Sequence, residues 1–201
     1  MAARWTRRAA LAGIMAVPAR AWAAPYTMAE QHRRVLAAAR DALNRATRAP
    51  DHADVVAIAD FSLPSSLPRF HFADLVAGRV HSFLVAHGRG SDPRHDGFLK
   101  GFSNVEGSEA TSRGSYLTAA WYEGRHGLSI RLDGIEADNS NAMARAIVIH
   151  PAWYAAPAML ARQGILGRSD GCFAMSPADF PAALWQLGQG RLLHADKLDL
   201  G

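Results

Sequence analysis

The chain has 201 residues, 49% of them hydrophobic, which is enough apolar material for one domain with its own core. Charged residues make up 20%, an ordinary share that excludes wholesale disorder. The net charge of +4 includes Arg4, Arg7 and Arg8 of a stretch read below as removable, so it gives no case for nucleic-acid binding. The single cysteine, Cys172, excludes an intrachain disulfide and a cysteine-based zinc cluster.

Residues 1–23 read as an export signal. Arg4, Arg7 and Arg8 form a basic start, Ala9 to Ala19 is mostly small or apolar, and Ala21-Trp22-Ala23 supplies a small-x-small cleavage pattern. The apolar run is short and broken by Pro18, so no stable membrane span is expected. Thr6-Arg7-Arg8-Ala9-Ala10-Leu11 resembles a twin-arginine address, and an ordinary Sec signal with adjacent arginines is the alternative. Either route puts the mature chain in the periplasm or cell envelope.

Met28 to Thr47 has no glycine or proline, and Val35, Leu36, Ala39 and Leu43 recur at helical spacing, which predicts an amphipathic helix ended before Pro50. Asp54 to Phe61 reads as a strand, with turns at Pro64 and Pro68. A strand around Phe70 to Leu75 turns at Ala77-Gly78 into a second over Val80 to Ala86, which leads to His87-Gly88-Arg89-Gly90. No helix follows these glycines, so a phosphate loop is not indicated. After polar loops, Gly114 to Ala120 and Leu128 to Leu132 alternate as strands.

Ala146 to His150 is nearly all apolar and predicts a central strand. Ser176 is expected to cap a last helix running to about Leu187, with Pro177 in its first turn, and Arg191 to His194 to form a closing strand. The fold class that follows is mostly β (α+β), a sandwich or partly open barrel with one helix at each end. The expected organisation is a signal at 1–23, a helical segment at 24–53 and a catalytic domain at 54–201.

The chemistry centres on Ile147 to Ser176. Cys172 follows Arg168-Ser169-Asp170-Gly171, a polar, glycine-bearing setting unlike the apolar run around an inert core cysteine. A thiol is only a few per cent ionised at neutral pH and needs a base. His150 ends a strand, and the 21 residues between it and Cys172 are enough to bring the chain back beside it. Gly171 allows close approach of a substrate carbonyl, and the amides near Gly171 and Cys172 are candidates for an oxyanion hole. Ser169 or a nearby backbone carbonyl is the candidate to orient the imidazole. On composition alone, any of the other histidines could serve as the partner.

The pieces V-A-H-G-R-G-S, G-F-S-N-V-E-G-S, G-S-Y-L-T, G-R-H-G-L-S-I-R-L-D-G-I-E, R-A-I-V-I-H and G-R-S-D-G-C, in this order between Ile58 and Leu193, resemble the YkuD-type murein L,D-transpeptidase catalytic domain family. The resemblance implies a YkuD-like β fold and a ping-pong thioester reaction on peptidoglycan stem peptides. It also implies Cys172 as nucleophile, His150 as base, and Ser169, Gly171 and Arg168 in the active-site turn. Candidate substrate-binding residues are Arg168, Asn104 in the Gly101 to Ser108 loop, and His126. Arg168 has a second possible role, clamping the cysteine loop. No cofactor or metal is expected, and a monomer is.

Three positions depart from the family pattern. Pro151 follows His150 where glycine is usual, Phe173-Ala174 follows the cysteine, and Asp170 puts a carboxylate beside the thiol, which opposes ionisation. Rival readings are an L,D-carboxypeptidase or amidase using the same pair, a sortase-like enzyme relying on Arg191, a zinc peptidase drawing on His87, His95, His126 and His150, and a non-catalytic wall-binding module.

Overall fold

The computed structural model describes residues 27–198. The export signal expected at residues 1–23 lies outside the described residues. The first helix, α1 (Met28–Arg45), opens with a reciprocal cap: Thr27 Oγ1 accepts from the Glu30 amide, and the Glu30 carboxylate accepts from the Thr27 amide at 2.7 Å. Such a cap is worth about 1 kcal/mol. Val35, Ala39 and Ala42 form its buried stripe and pack on Val56, Ile58, Ala73, Val80 and Leu192 of the sheet.

The strands are β1 (His52–Asp60), β2 (Phe70–Asp74), β3 (Arg79–Phe83), β4 (Gly114–Gly124), β5 (Gly127–Gly134), β6 (Val148–Pro151), β7 (Phe173–Met175) and β8 (Arg191–Asp196). They form one mixed sheet of eight strands in the order β3-β2-β1-β8-β4-β5-β6-β7. In β1, Val55, Ala57 and Ala59 face the main core while Val56 and Ile58 face α1. Two buried faces explain why this strand reads as a continuous apolar run.

The sheet rolls. Phe173 of β7 stacks on Phe70 of β2 at 6.3 Å between ring centroids and meets Tyr116 of β4 edge-on at 5.6 Å. Beyond β3, Ala86 exchanges both backbone hydrogen bonds with Ala174, at 2.9 and 3.3 Å, so the chain leaving one edge strand seals the other. Among the described residues the architecture is mostly β, a single sheet rolled into a partly open barrel, with three α-helices.

Several boundaries differ from the sequence expectation. The apolar run Val80 to Ala86 is a strand only to Phe83, because its end crosses to β7. The strand carrying His150 is penultimate rather than central; its apolar character comes from Ile147 and Ile149, which are buried in the main core. The central position belongs to β8, parallel to β1 and antiparallel to β4. A further helix, α2 (Pro157–Gln163), lies between His150 and Cys172. Ser176 does not cap the last helix. Its hydroxyl accepts from the Asp179 amide in a preceding turn, and α3 (Phe180–Gln186) starts only after it. Among the described residues no helix is long and apolar enough to cross a membrane.

Candidate active site

Strands β6 and β7 are parallel neighbours with Ile149 opposite Phe173 and His150 opposite Ala174. Ile149, Phe173 and Met175 point into the main core, so strand alternation turns His150, Ala174 and Cys172 to the other face. His150 and Cys172 are one strand apart and two residues offset, about 8 Å between Cα atoms from strand spacing and rise. That separation is within the combined reach of a thiol and an imidazole.

The cysteine turn is tightly built. The Ser169 hydroxyl donates to the Cys172 carbonyl at 2.6 Å and accepts from the Gly171 amide at 3.2 Å. The Ser169 amide donates to the His87 carbonyl, and the Arg89 amide donates to the Ser169 carbonyl. Gly171 has φ +117°, and a Cβ there would lie 2.8 Å from the Ala110 carbonyl oxygen and 2.9 Å from Ile147 Cδ1. A side chain is excluded both by backbone angle and by space. Gly88 packs its backbone directly against this turn, which explains the glycine in His87-Gly88-Arg89-Gly90.

Cys172 is 7% exposed, and its Sγ lies 3.5 Å from the Ala146 carbonyl. Burial pushes the thiol above its ordinary range; a hydrogen bond from the Val148 amide and the cations Arg125 and Arg145 pull the other way, while Asp170 adds to the rise. Asp170 is held by Arg89 at 3.4 Å and Arg125 at 3.5 Å, so the carboxylate beside the thiol is accompanied by two guanidinium groups.

The imidazole of His150 is 1% exposed. Its Nδ1 lies 3.0 Å from the Pro151 carbonyl oxygen, which can only accept, so Nδ1 carries the proton and Nε2 keeps its lone pair. Burial lowers its pKa to about 4, with the Pro151 carbonyl opposing and His126 and Arg125 reinforcing the shift. At neutral pH the histidine is uncharged and able to accept a proton. His126 stacks on it at 4.1 Å with the rings 22° from parallel, and Arg125 Nε donates to His126 Nε2 at 2.9 Å. Tyr154, at the start of the crossover, meets the His150 ring edge-on at 6.5 Å.

Cys172, Gly171, Ser169, His150 and His126 thus converge. Ser169 shapes the turn, and the carbonyl of Pro151 is the group that orients the imidazole. Arg168 donates to the Asp92 carbonyl on the neighbouring loop. Asn104 spends its amide on Ala137 O and Ser140 Oγ and accepts from the Asn141 amide, tying two loops together. Arg191 pairs with Asp54. Among the described residues no group of three or more His, Cys, Asp or Glu side chains is placed to hold a metal ion.

Sequence reasoning passed over Arg145, Arg125, Tyr154 and most of the polar group behind the turn, of which it weighed only His87, as a zinc-ligand candidate. In that group Arg69 is fully buried and donates to Leu63 O, Val85 O and His87 Nδ1. His87 Nε2 faces Asp92 at 3.5 Å. The available signals were Arg145, just before the apolar run in R-A-I-V-I-H, and Arg125 in G-R-H-G-L-S-I-R-L-D-G-I-E.

The rolled sheet thus presents a cysteine turn and a neutral histidine at two adjacent parallel strands. A model of the L,D-transpeptidase catalytic domain, of YkuD type, matches residues 28–195, and the chain belongs to that family. Similar solved structures include an L,D-transpeptidase from Mycobacterium smegmatis, 15% identical over 71% of this chain and 58% of that one, with a TM-score of 0.42. L,D-transpeptidase 1 of Mycobacterium tuberculosis is 13% identical over 70% and 60%, with a TM-score of 0.38. The helical cell shape determining protein Pgp2 of Campylobacter jejuni is 12% identical over 72% and 48%, with a TM-score of 0.44. The chain therefore spans 48–60% of the length of these three proteins. A search of curated proteins gives no match.

Proposed function

We propose that this domain catalyses cysteine-dependent acyl transfer on peptidoglycan stem peptides as an exported enzyme of the periplasm or cell envelope. In this reading residues 1–23 are a removed signal, 24–53 a helical segment and 54–201 the catalytic domain. The protein works as a monomer without cofactor or nucleic acid. The observation that carries the reading is the single cysteine on the same face as His150, whose tautomer leaves Nε2 free to accept.

Thiol and imidazole are both neutral at rest, the thiol raised and the imidazole lowered by burial. His150 therefore acts as a general base during attack rather than as half of a standing ion pair. Nε2 takes the thiol proton as Sγ bonds to the stem-peptide carbonyl carbon. The C–N bond of the scissile amide then breaks, and the imidazolium returns the proton to the leaving amine. An acceptor amine then attacks the thioester carbonyl and gives its proton to His150 Nε2; the C–S bond breaks, and the imidazolium returns that proton to Sγ, restoring the neutral thiol. The Gly171 amide is engaged by Ser169, so the Cys172 amide is the candidate donor to the oxyanion.

Incubation of the purified protein with defined muropeptides, followed by product masses, tests the reading. Cross-linked or exchanged products support transfer, and loss of a terminal residue alone supports transfer to water. Unchanged muropeptides overturn both.

A further inference from the structure

Arg145 has no part in the scheme above, yet it sits against the cysteine turn. Its Nη1 donates to Ser103 O at 2.7 Å and Ser112 Oγ at 2.9 Å; its Nη2 donates to Ser108 Oγ at 3.2 Å and Ala110 O at 2.5 Å. All four acceptors are neutral and lie in one loop, Ser103 to Ser112. Among the described residues no carboxylate forms an ion pair with Arg145, so its guanidinium is fixed in place by neutral acceptors alone.

Two further contacts link this cation to the thiol. A Cβ on Gly171 would lie 3.3 Å from Arg145 Nη2 and 2.8 Å from the Ala110 carbonyl oxygen that Nη2 grips. The carbonyl held by Arg145 is thus the wall on which the Gly171 turn rests. The next residue, Ala146, has φ +52°, a left-handed conformation that costs a non-glycine residue on the order of 1 kcal/mol. Its carbonyl is the one facing Sγ at 3.5 Å.

We propose that Arg145 is a positioning residue for Cys172, holding the 103–112 loop against the Gly171 turn and presenting an unpaired positive charge to the thiol as its proton leaves. The proposal rests on Cys172 being the nucleophile. The other groups acting on the thiol are Arg125 on the β4–β5 turn, Asp170 on the cysteine turn and Tyr154 on the crossover, with His150 one strand away on β6. Arg125 is paired with Asp170, whose charge opposes its own. Glu106, Glu109 and Asp170 line the same cleft as Arg145, but Glu109 and Asp170 are paired with Arg89, and among the described residues none of the three forms an ion pair with Arg145.

The test is the pH profile of Cys172 alkylation by iodoacetamide in the full chain, for wild type, Arg145→Lys and Arg145→Gln. The midpoint is expected to rise in the order wild type, Lys, Gln. At pH 8 the Gln variant should react roughly threefold more slowly, the scale of a partly screened charge interaction. Lysine keeps the charge but not the four-bond fork, so its shift is smaller. If Arg145→Gln does not fold, Arg145→Lys decides alone. A folded variant of either kind with the wild-type midpoint and rate overturns the proposal, including one whose thermal stability alone has dropped. Failure of the acyl-transfer reading is separately visible, as stem-peptide turnover that survives Cys172→Ser.

Discussion

Gly88→Ala tests how closely the backbone loops behind the thiol are fitted. Gly88 has φ −69° and ψ 144°, so alanine meets no backbone strain there. Its Cβ, however, would lie 2.3 Å from the Glu109 carbonyl oxygen, 2.7 Å from Gly171 Cα and 2.8 Å from Gly171 N. All three are backbone atoms and cannot swing aside as a side-chain tip can. Relief needs about 1 Å of movement to restore ordinary contact, and overpacking of this kind costs about 1–3 kcal/mol. The compensating gain from a stiffer unfolded chain is only about 0.4–1 kcal/mol, so net destabilisation is expected. For a domain of this size the net cost, up to about 2.6 kcal/mol, corresponds to a fall in Tm of up to about 10 °C. Because Gly171 is one of the atoms displaced, Cys172 alkylation should change together with Tm. Thermal melting and iodoacetamide kinetics on one preparation check this, and a variant matching wild type in both refutes the close fit.

His71, His87 and His150 are all held below the ordinary histidine value, at about 3, 2 and 4, with burial the first cause in each. Their contribution to stability is fully present above pH 6.5 and is lost as pH falls below it, because the unfolded chain takes up protons that the folded one refuses. The loss is up to about 1.4 kcal/mol per pH unit for each histidine, so Tm should drop steeply between pH 6.5 and 4.5; a flat Tm contradicts the burial argument. His150→Ala should keep the fold yet lose turnover about a hundredfold, and full activity would move the base to another histidine. Arg168→Lys should lower Tm and alkylation rate together, because the guanidinium holds the Asp92 carbonyl; a raised KM with unchanged thiol reactivity would instead make it a substrate contact.

What could be read from sequence was what local periodicity and short motifs encode. Helix α1 was legible because Val35 and Ala39 recur on one stripe across an uninterrupted run. Cys172 and His150 stood out because a thiol in a polar glycine turn and a histidine closing an apolar strand are unusual locally. Helix α2 was not, having seven residues and no side-chain cap at Ala156. Strand β7 has only three residues and is defined by its partners β6 and Ala86. The central place of β8 depends on a parallel pairing with a strand more than a hundred residues away, which no local pattern carries. The role of Arg145 depends on acceptors 33 to 42 residues distant and on the backbone angle of Ala146. Arg168 and Asn104 were singled out for substrate because their residue types suit carboxylate and amide recognition, while their partners in the fold are backbone carbonyls and neighbouring loops.

The central claim is that Cys172 carries the acyl group. Wild type and Cys172→Ser should be mixed with a defined tetrapeptide-stem muropeptide, quenched in acid within seconds, and measured by intact-protein mass spectrometry with peptide mapping. The account predicts one added acyl mass on the peptide containing Cys172 in wild type, and neither adduct nor turnover in Cys172→Ser. Turnover by wild type with no adduct on that peptide, or turnover that persists in Cys172→Ser, would contradict it.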